Sequence, residues 1–117
     1  MIQKLTAKEE DIMSIIWKLK KAFVKEIIPE LKESLHYNTV STIVRNLEEK
    51  KFVAHEAFGK THQYYPLVSK EEYSKLIMQL NSQRFFGGSY KNMVSFFAEN
   101  EKISKKELEE ILELIKK

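Results

Sequence analysis

The sequence has no cysteine, only two prolines, and three each of glycine and histidine among its 117 residues. Without cysteine the chain can form no disulfide, and it has no thiolate to act as a nucleophile or to bind zinc or copper. The three histidines are scattered, and no Ser-His-Asp set, glycine-rich phosphate loop or metal-ligand spacing is present. We therefore expect no enzyme, no cofactor and no metal site.

Long apolar runs are also missing, since no stretch approaches the ~20 residues that span a bilayer, and the start shows no signal-peptide pattern. Hydrophobic residues make up 43% of the chain and charged residues 32%, interspersed along it, which favours a folded domain. We expect a cytoplasmic protein without membrane insertion. The net charge of +3 is only mildly basic, so any case for nucleic-acid binding depends on local arrangement.

The stretch 35–51 predicts an amphipathic helix with an unusual polar face. Val40, Ile43, Val44 and Leu47 follow the i, i+3, i+4, i+7 spacing of a buried stripe. No acid precedes Glu48, although helix N-termini favour acids. Hydroxyls, amides and a guanidinium suit contact with phosphates and base edges. On this stretch alone, an ordinary solvated helix is an equally weighted alternative. The candidate DNA-binding residues here are Asn38 (also the predicted N-cap), Thr39, Ser41, Thr42, Arg45 (the candidate guanine contact) and Asn46.

Two helices are predicted before this stretch. Thr6 and Glu9 form a capping box that opens a helix running to about Leu19. Phe23-Val24 is a candidate edge strand, and a second helix begins no earlier than Lys25 because Pro29 must fall near its first turn. The inner face of that helix would use Ile27, Ile28, Leu31 and Leu35, and a tight turn of three or four residues, 35–38, would follow. Two short helices with such a turn indicate a helix-turn-helix.

The period changes after Lys51, and residues 52–58 and 62–68 predict a β-hairpin around Gly59. A helix-turn-helix followed by a hairpin is a winged helix, so residues 1–68 are the predicted DNA-binding domain. The wing tip, Lys60, Thr61 and His62, would reach an adjacent DNA backbone or the minor groove. His55 and His62 are predicted to lie opposite each other, but two histidines without a third ligand rarely form a metal site, so a polar wing surface is expected.

Residues 69–117 predict three further helices. Capping boxes stand at Ser69 and Ser104, and Gly87-Gly88 predicts a break. About 50 residues do not easily bury a core of their own, so we expect these helices to form a C₂ homodimer; packing back on the winged helix is the alternative. The predicted dimerisation residues are Tyr73, Leu76, Ile77, Leu80, Phe85, Phe86, Met93, Phe97, Leu108, Ile111, Leu112 and Ile115.

The predicted fold is therefore mainly α with a small β-hairpin: a winged helix-turn-helix followed by a helical dimerisation region. Several ordered stretches of the chain, LTAKEEDIMSIIWKL, VKEIIPEL, NTVSTIVRNLEEKK, YYPLVSKEEY, RFFGGS and SFFAENEKISKKELEEI, together resemble the BlaI/MecI-type penicillinase repressors. The resemblance covers nearly the whole chain and implies the same two-part fold. It also implies a homodimeric repressor on an inverted-repeat double-stranded DNA operator that controls genes of the β-lactam-resistance type.

The resemblance further implies release by a membrane sensor-protease system that cleaves the helical region. The family's cleavage motif is Asn-Phe, whereas the matching position here is Ser95-Phe96. Asn46 and Lys51 stand where the family usually has Arg and Gly. The copper-responsive branch carries a cysteine cluster, which this chain lacks.

A winged helix used for protein–protein contact, without specific DNA binding, is the competing interpretation. The weak overall charge is compatible with it. A DNA-binding protein should lose affinity steeply as salt rises, which separates the two.

Overall fold

The computed structural model describes residues 2–100 and 104–116, apart from the side chains of residues 111–116. The chain forms two compact units, Met1–Leu76 and Ile77–Lys117. Its elements are α1 (Ala7–Leu19), β1 (Ala22–Phe23), α2 (Val24–Ile27), a 3-10 turn (Ile28–Glu30), α3 (Tyr37–Glu49), β2 (Val53–Phe58), β3 (Thr61–Pro66), α4 (Lys70–Phe86), α5 (Tyr90–Glu99) and α6 (Lys105–Lys116). The prediction of a mainly α fold with a small β region is confirmed. No helix in these ranges is both long and apolar enough to cross a bilayer.

Helix α1 begins and ends where the sequence predicted. The Thr6 hydroxyl accepts from the Glu9 backbone N–H at 3.2 Å, and the Glu9 carboxylate accepts from the Thr6 N–H at 2.9 Å. This capping box satisfies two of the N–H groups that a helix start leaves unpaired. The inner face of α1 places Ile12, Met13 and Ile16 in the core with no exposed surface.

The second helix is shorter than predicted. It starts at Val24, one residue before the predicted limit of Lys25, and continues after Ile27 only as a 3-10 turn that contains Pro29. A proline has no N–H to continue an α-helical ladder, so Leu31 and Leu35 lie in an irregular connection and not on the helix. The prediction of a helix reaching Leu35 was wrong, and so was the tight turn, because residues 31–36 separate the 3-10 turn from α3.

The predicted hairpin is present and joins a third strand. Strands β2 and β3 pair antiparallel from Val53 opposite Pro66 to Phe58 opposite Thr61, and β1 pairs with the outer edge of β3. The loop is therefore Gly59-Lys60 alone, and Gly59 has φ +63°. Glycine at the first position of a two-residue loop is typical of a type II′ turn, whose twist matches that of the strands.

The register of the hairpin corrects one detail. His55 lies opposite Tyr64, and His62 lies opposite Ala57, so the two histidines are diagonal neighbours. Their rings nonetheless stack, with centroids 4.0 Å apart and planes 7° from parallel. Side chains on diagonal positions of one sheet face are within reach of each other.

Tyr73 lies in the core of the first unit. Its side chain is 5% exposed, and its ring contacts those of Trp17 and Phe52, with centroids 6.0 and 5.7 Å away. Its hydroxyl accepts from the buried N–H of Leu5 and donates to the Glu10 carboxylate. Tyr73 was predicted to be a dimerisation residue, whereas in the structure its side chain is buried in the core of the first unit. Because these contacts hold the first two turns of α4, the first unit extends past the predicted boundary at residue 68 to Leu76.

The second unit contains the end of α4 followed by α5 and α6. Gly87 and Gly88 have φ values of +58° and +83° and separate α4 from α5, as predicted. The Ser89 hydroxyl caps α5 by accepting from the Asn92 N–H at 3.1 Å. Ser104 and Glu107 form the predicted capping box of α6.

Candidate nucleic-acid interface

Helix α3 divides cleanly into a buried and an exposed side. Val40, Val44 and Leu47 have no exposed surface, since α3 packs against α1, α2 and β2. The other side meets solvent along its whole length. Of the predicted DNA-binding residues on α3, one is half-buried, Ser41, and five are exposed: Asn38, Thr39, Thr42, Arg45 and Asn46.

The N-cap of α3 is His36 and not Asn38. Its ring Nδ1 accepts from the Asn38 backbone N–H at 3.2 Å, which requires the neutral tautomer with its proton on Nε2. The helix therefore starts at Tyr37, and Asn38 falls in its first turn. The sequence pointed to Asn38 because amides are preferred caps, whereas a histidine ring nitrogen two positions earlier meets the same need.

Thr42 and Arg45 are joined on the exposed side. The Thr42 hydroxyl donates to the Asn38 carbonyl at 2.9 Å, and its oxygen lies 3.4 Å from an Nη atom of Arg45, from which it accepts. The spacing i, i+3 places such side chains on neighbouring turns of one helix face. The guanidinium thus leans towards the N-terminus of α3, across its outer face.

The C-terminal end of α3 is closed by a Schellman motif. The Phe52 N–H donates to the Leu47 carbonyl at 2.9 Å, and the Lys51 N–H donates to Glu48 at 3.0 Å. Lys51 has φ +66°, the left-handed conformation that glycine usually provides at this position. Phe52 and Leu47 are both fully buried, which is the apolar contact that accompanies the motif.

An ion pair fixes α3 to the start of α1. The Lys50 ammonium lies 2.8 Å from both carboxylate oxygens of Glu9, which is only 4% exposed. Burial alone would raise the pKa of Glu9, but the hydrogen bonds from Lys50 and from Thr6 outweigh it and lower that pKa below its ordinary value. Glu9 is therefore ionised at neutral pH, and the pair holds both helix ends together.

The wing presents its three predicted residues at or beside the turn. Lys60, Thr61 and His62 are all exposed. The Thr61 hydroxyl donates to the Phe58 carbonyl at 2.8 Å and so steadies the turn. His62 is supported by its stack on His55.

His55 connects the wing to α3. Its Nδ1 lies 2.5 Å from a carboxylate oxygen of Glu48, a residue in the last turn of α3. This contact gives the Glu48 carboxylate a hydrogen-bond partner on the wing. In the parts of the chain that the structure describes, no group of three His, Asp or Glu side chains is arranged to hold a metal ion.

The cations of the first unit differ in whether they form ion pairs. Lys8 pairs with Glu33 and Lys18 with Glu30. Arg45 and Lys60 form no ion pair within residues 2–100 and 104–116. The exposed side of α3 and the wing tip therefore carry cations that an anionic partner can approach.

Two residues that sequence analysis passed over also border this surface. Tyr37, at the first position of α3, and Lys25, in α2, line an open groove between α3 and the wing. Tyr37 precedes Ser41 and Arg45 by four and eight residues, so helical spacing alone places the three on one flank. Lys25 had no such signal, because its position depends on where α2 packs.

The predicted residues of the second unit fall into three groups. Leu80, Phe85 and Phe97 expose 39%, 65% and 37% of their surface. Met93 is buried, and Ile77, Phe86 and Leu108 are half-buried, as is Leu76 at the end of the first unit. The side chains of Ile111, Leu112 and Ile115 lie outside the described residues. Ser95 and Phe96, the candidate cleavage pair, are exposed within α5.

A helix-turn-helix whose second helix has an exposed polar, cationic side, flanked by a hairpin wing, defines a winged-helix protein of the DNA-binding class. The solution structure of the DNA-binding domain of the repressor BlaI is similar to this chain, with a TM-score of 0.56 and 25% sequence identity. The similarity covers 62% of this chain and 92% of that domain. The winged-helix prediction is confirmed.

The chain belongs to the penicillinase repressor family, whose sequence profile matches residues 5–117. It is 26% identical to the penicillinase repressor of Bacillus licheniformis over 97% of this chain and 91% of that protein. It is 27% identical to the methicillin resistance regulatory protein MecI of Staphylococcus aureus (strain N315), over 97% and 94% of the two chains. The predicted resemblance is confirmed, and so is the prediction of a non-enzyme, because these relatives are repressors.

Proposed function

We propose that this protein is a homodimeric transcriptional repressor that binds an inverted-repeat DNA operator through α3 and the wing. The observation that carries the proposal is the exposed side of α3. It offers hydroxyl, amide and guanidinium groups, has no acid before Glu48, and lies beside a wing whose Lys60 forms no ion pair in the described part of the chain. Such a surface suits phosphates and base edges.

Each predicted residue has a role that its position supports. Arg45 is the guanine contact, because a guanidinium can donate twice to O6 and N7, and Thr42 holds it over the outer face. The side-chain amide of Asn46 is suited to hydrogen-bond to the edge of an adenine base. Asn38 and Thr39, in the first turn of α3, are placed for a phosphate at the helix N-terminus, and Ser41 follows on the wing side. Lys60, Thr61 and His62 contact the backbone beside the wing.

The homodimer is supported by the apolar surface of the second unit. Leu80, Phe85, Phe96 and Phe97 are each more than a third exposed. Monomeric proteins rarely leave so many large apolar side chains in water in one region. A C₂ pair would cover them and would present two copies of α3 to an operator with the same symmetry.

The relatives' names connect the family to penicillinase and methicillin resistance, so genes of the β-lactam-resistance type are the proposed targets. Release by proteolysis, triggered by a membrane sensor-protease system, is the proposed route of induction in the cytoplasm. The candidate bond, Ser95-Phe96, lies inside α5, and a helix must open locally before a protease can bind it. The Asn that the family has at this position is Ser here.

Duplex binding at increasing salt tests the proposal. A repressor that neutralises several phosphates should lose about 10³–10⁵-fold in affinity between ~50 and ~200 mM salt. A protein–protein module would show no such duplex affinity, and that result would remove the proposed function.

Arg45→Ala is expected to lower specific binding by about 1–3 kcal/mol while leaving binding to unrelated DNA much less affected. Gel-shift titration on the operator, found as an inverted repeat upstream of the gene, measures the loss. Arg84→Ala is the matched control, since it removes the same side chain from the second unit. Equal affinities for the wild type and Arg45→Ala would exclude the base-reading role.

A further inference from the structure

The groove between α3 and the wing has two polar walls. One wall is a flank of α3, and the other is the hairpin tip. The flank carries Tyr37, Ser41 and Arg45, and the tip carries Lys60, Thr61 and His62. The groove is further lined by Phe23, Val24, Lys25, Glu26 and Tyr64. It is therefore a feature of the first unit alone, built from α2, α3 and the sheet.

The charge in the groove is positive. Lys25, Arg45 and Lys60 line it, and none of them forms an ion pair within the described ranges. Glu26 is the single carboxylate among the lining residues, and one of its oxygens accepts from the Phe23 N–H at 2.9 Å. An anion in the groove would thus meet three cations and one carboxylate that is already occupied.

Neutral donors accompany these cations. Neither the Tyr37 nor the Tyr64 hydroxyl has a hydrogen-bond partner among the residues that the structure describes. Burial, and then the Glu48 carboxylate, raises the pKa of Tyr64, against the opposing effect of Arg45. The Tyr64 phenol therefore stays protonated and can donate to an anion. The 44% exposed Tyr37 stands at the mouth of the same groove.

The side of α3 that lines the groove and the outer face of α3 are two neighbouring stripes of the helix surface. Tyr37, Ser41 and Arg45 follow one another at four-residue steps, whereas Asn38, Thr42 and Asn46 occupy the next stripe at the same steps. From Tyr37 to Arg45 the helix advances about 12 Å. One strand of B-DNA carries a phosphate for every ~3.4 Å along its axis, so the groove is long enough for more than one phosphate.

We propose that this groove holds the phosphate backbone of one DNA strand, with Tyr37 and Lys25 as contacts additional to those of the exposed α3 face and the wing tip. The inference rests on the proposed function and deepens it. The wing-side flank of α3 positions the duplex. On the outer stripe, Thr42 and Asn46 face the bases, and Asn38 contacts the phosphate at the helix N-terminus. Arg45 lies at the boundary, since it lines the groove and also reaches Thr42.

The test uses fluorescence anisotropy of the full-length protein with a labelled mixed-sequence duplex, because phosphate contacts do not depend on base sequence. Lys25→Gln should reduce the slope of log affinity against log salt by about 0.9, the value of one phosphate contact. Tyr37→Phe should lower affinity about tenfold, the effect of losing a hydrogen bond to a charged group, and should leave the slope unchanged.

Two control variants remove the same groups elsewhere. Lys32→Gln removes a cation from the connection before α3, outside the groove, and Tyr65→Phe removes a hydroxyl from the residue that alternates with Tyr64 to the opposite face of the sheet. Both should bind as the wild type does. Circular dichroism establishes that all four variants are folded.

The possible outcomes separate the two proposals. If the wild type binds with a steep salt dependence but Lys25→Gln keeps its slope and Tyr37→Phe its affinity, the phosphate groove is wrong and the proposed function stands. If the controls lose as much as the groove variants, the groove has no special role. If the wild type has no salt-dependent affinity for any duplex, the proposed function itself fails.

Discussion

Lys51 stands at a backbone position that side chains rarely occupy. Its φ of +66° closes the Schellman motif at the end of α3, at the position that glycine usually occupies in this motif. The sequence showed only that Lys51 replaces the glycine expected from the family resemblance, and the structure shows that its backbone takes the left-handed conformation that glycine would adopt without strain. The burial of Leu47 before Lys51 and of Phe52 after it offsets this strain.

Lys51→Gly is expected to stabilise the protein by about 0.5–1 kcal/mol, because the relief of strain at positive φ exceeds the added chain entropy of glycine. Urea denaturation followed by circular dichroism measures the change. Lys51→Ala removes the same charge but keeps the strain, so it should show no gain. A similar gain in both variants would mean that charge, and not backbone conformation, is responsible.

Glu9 is a buried carboxylate whose stability contribution depends on pH. Its pKa is lowered in the folded state, because the Lys50 and Thr6 hydrogen bonds outweigh burial. The contribution is therefore present above the ordinary glutamate pKa of about 4.3 and is lost as pH falls through the folded value.

Glu9→Gln keeps an oxygen for the capping box but leaves the Lys50 charge unpaired. We expect a loss of about 1–3 kcal/mol in the free energy of unfolding at pH 7. This loss should shrink as the pH falls through the pKa of Glu9 in the folded protein, because the wild-type carboxylate is then protonated too. Lys18→Met is the control, because its pair with Glu30 is exposed and should contribute under about 1 kcal/mol. If the loss of stability in Glu9→Gln did not depend on pH, the ion pair with Lys50 would not be its cause.

At the scale of elements, the wing depends on its two-residue loop. Gly59 has φ +63°, and the Thr61 hydroxyl closes the turn on the Phe58 carbonyl. A longer loop was predicted, with Thr61 in it, but Thr61 pairs with Phe58 as the first residue of β3. The position of Lys60 and His62 beside α3 follows from this register.

Gly59→Ala should destabilise the protein by about 1 kcal/mol, because an L side chain is strained at this φ even though a methyl group there meets no other atom within 4 Å. It should also weaken duplex binding by displacing the wing. Thermal unfolding and anisotropy provide the two readouts. Glu56→Ala, an exposed change in β2, is the comparison, and an unchanged stability of Gly59→Ala would exclude a strained turn.

The end of α2 and the packing of α4 differ from the predictions for physical reasons. Helix α2 stops early because Pro29 cannot continue it. Helix α4 begins at its predicted capping box, yet its first turns belong to the first unit because Tyr73 packs between Trp17 and Phe52. Burial and its hydrogen bond to Glu10 raise the pKa of Tyr73 to about 12, so this contact persists up to strongly alkaline pH.

At the scale of the whole molecule, the proposed repressor needs two copies of the chain. Among the side chains of the second unit that the structure describes, the most exposed large apolar one is that of Phe85, at 65%. Phe85→Glu should weaken the dimer by about 2 kcal/mol or more, the cost at an interface hot spot. Sedimentation should then show monomers at concentrations where the wild type is dimeric, with weaker binding to an inverted repeat.

Leu67→Glu serves as the matched control, since Leu67 is a 54% exposed apolar residue of the first unit. It should leave both association and DNA binding unchanged. A dimer that survives Phe85→Glu, or that dissociates equally with Leu67→Glu, would place the interface elsewhere.

The sequence by itself determined the order and type of most elements, because apolar periodicity, capping boxes and the Gly59 and Gly87-Gly88 positions act over a few neighbouring residues. It also marked the exposed side of α3, since the lack of acids before Glu48 is a local property. Tertiary structure alone decided that His36 caps α3, that Tyr73 joins the first unit, and that Lys25 shares a groove with Lys60. Each of these depends on residues that are close in space, and neither periodicity nor propensity records distances between separate elements.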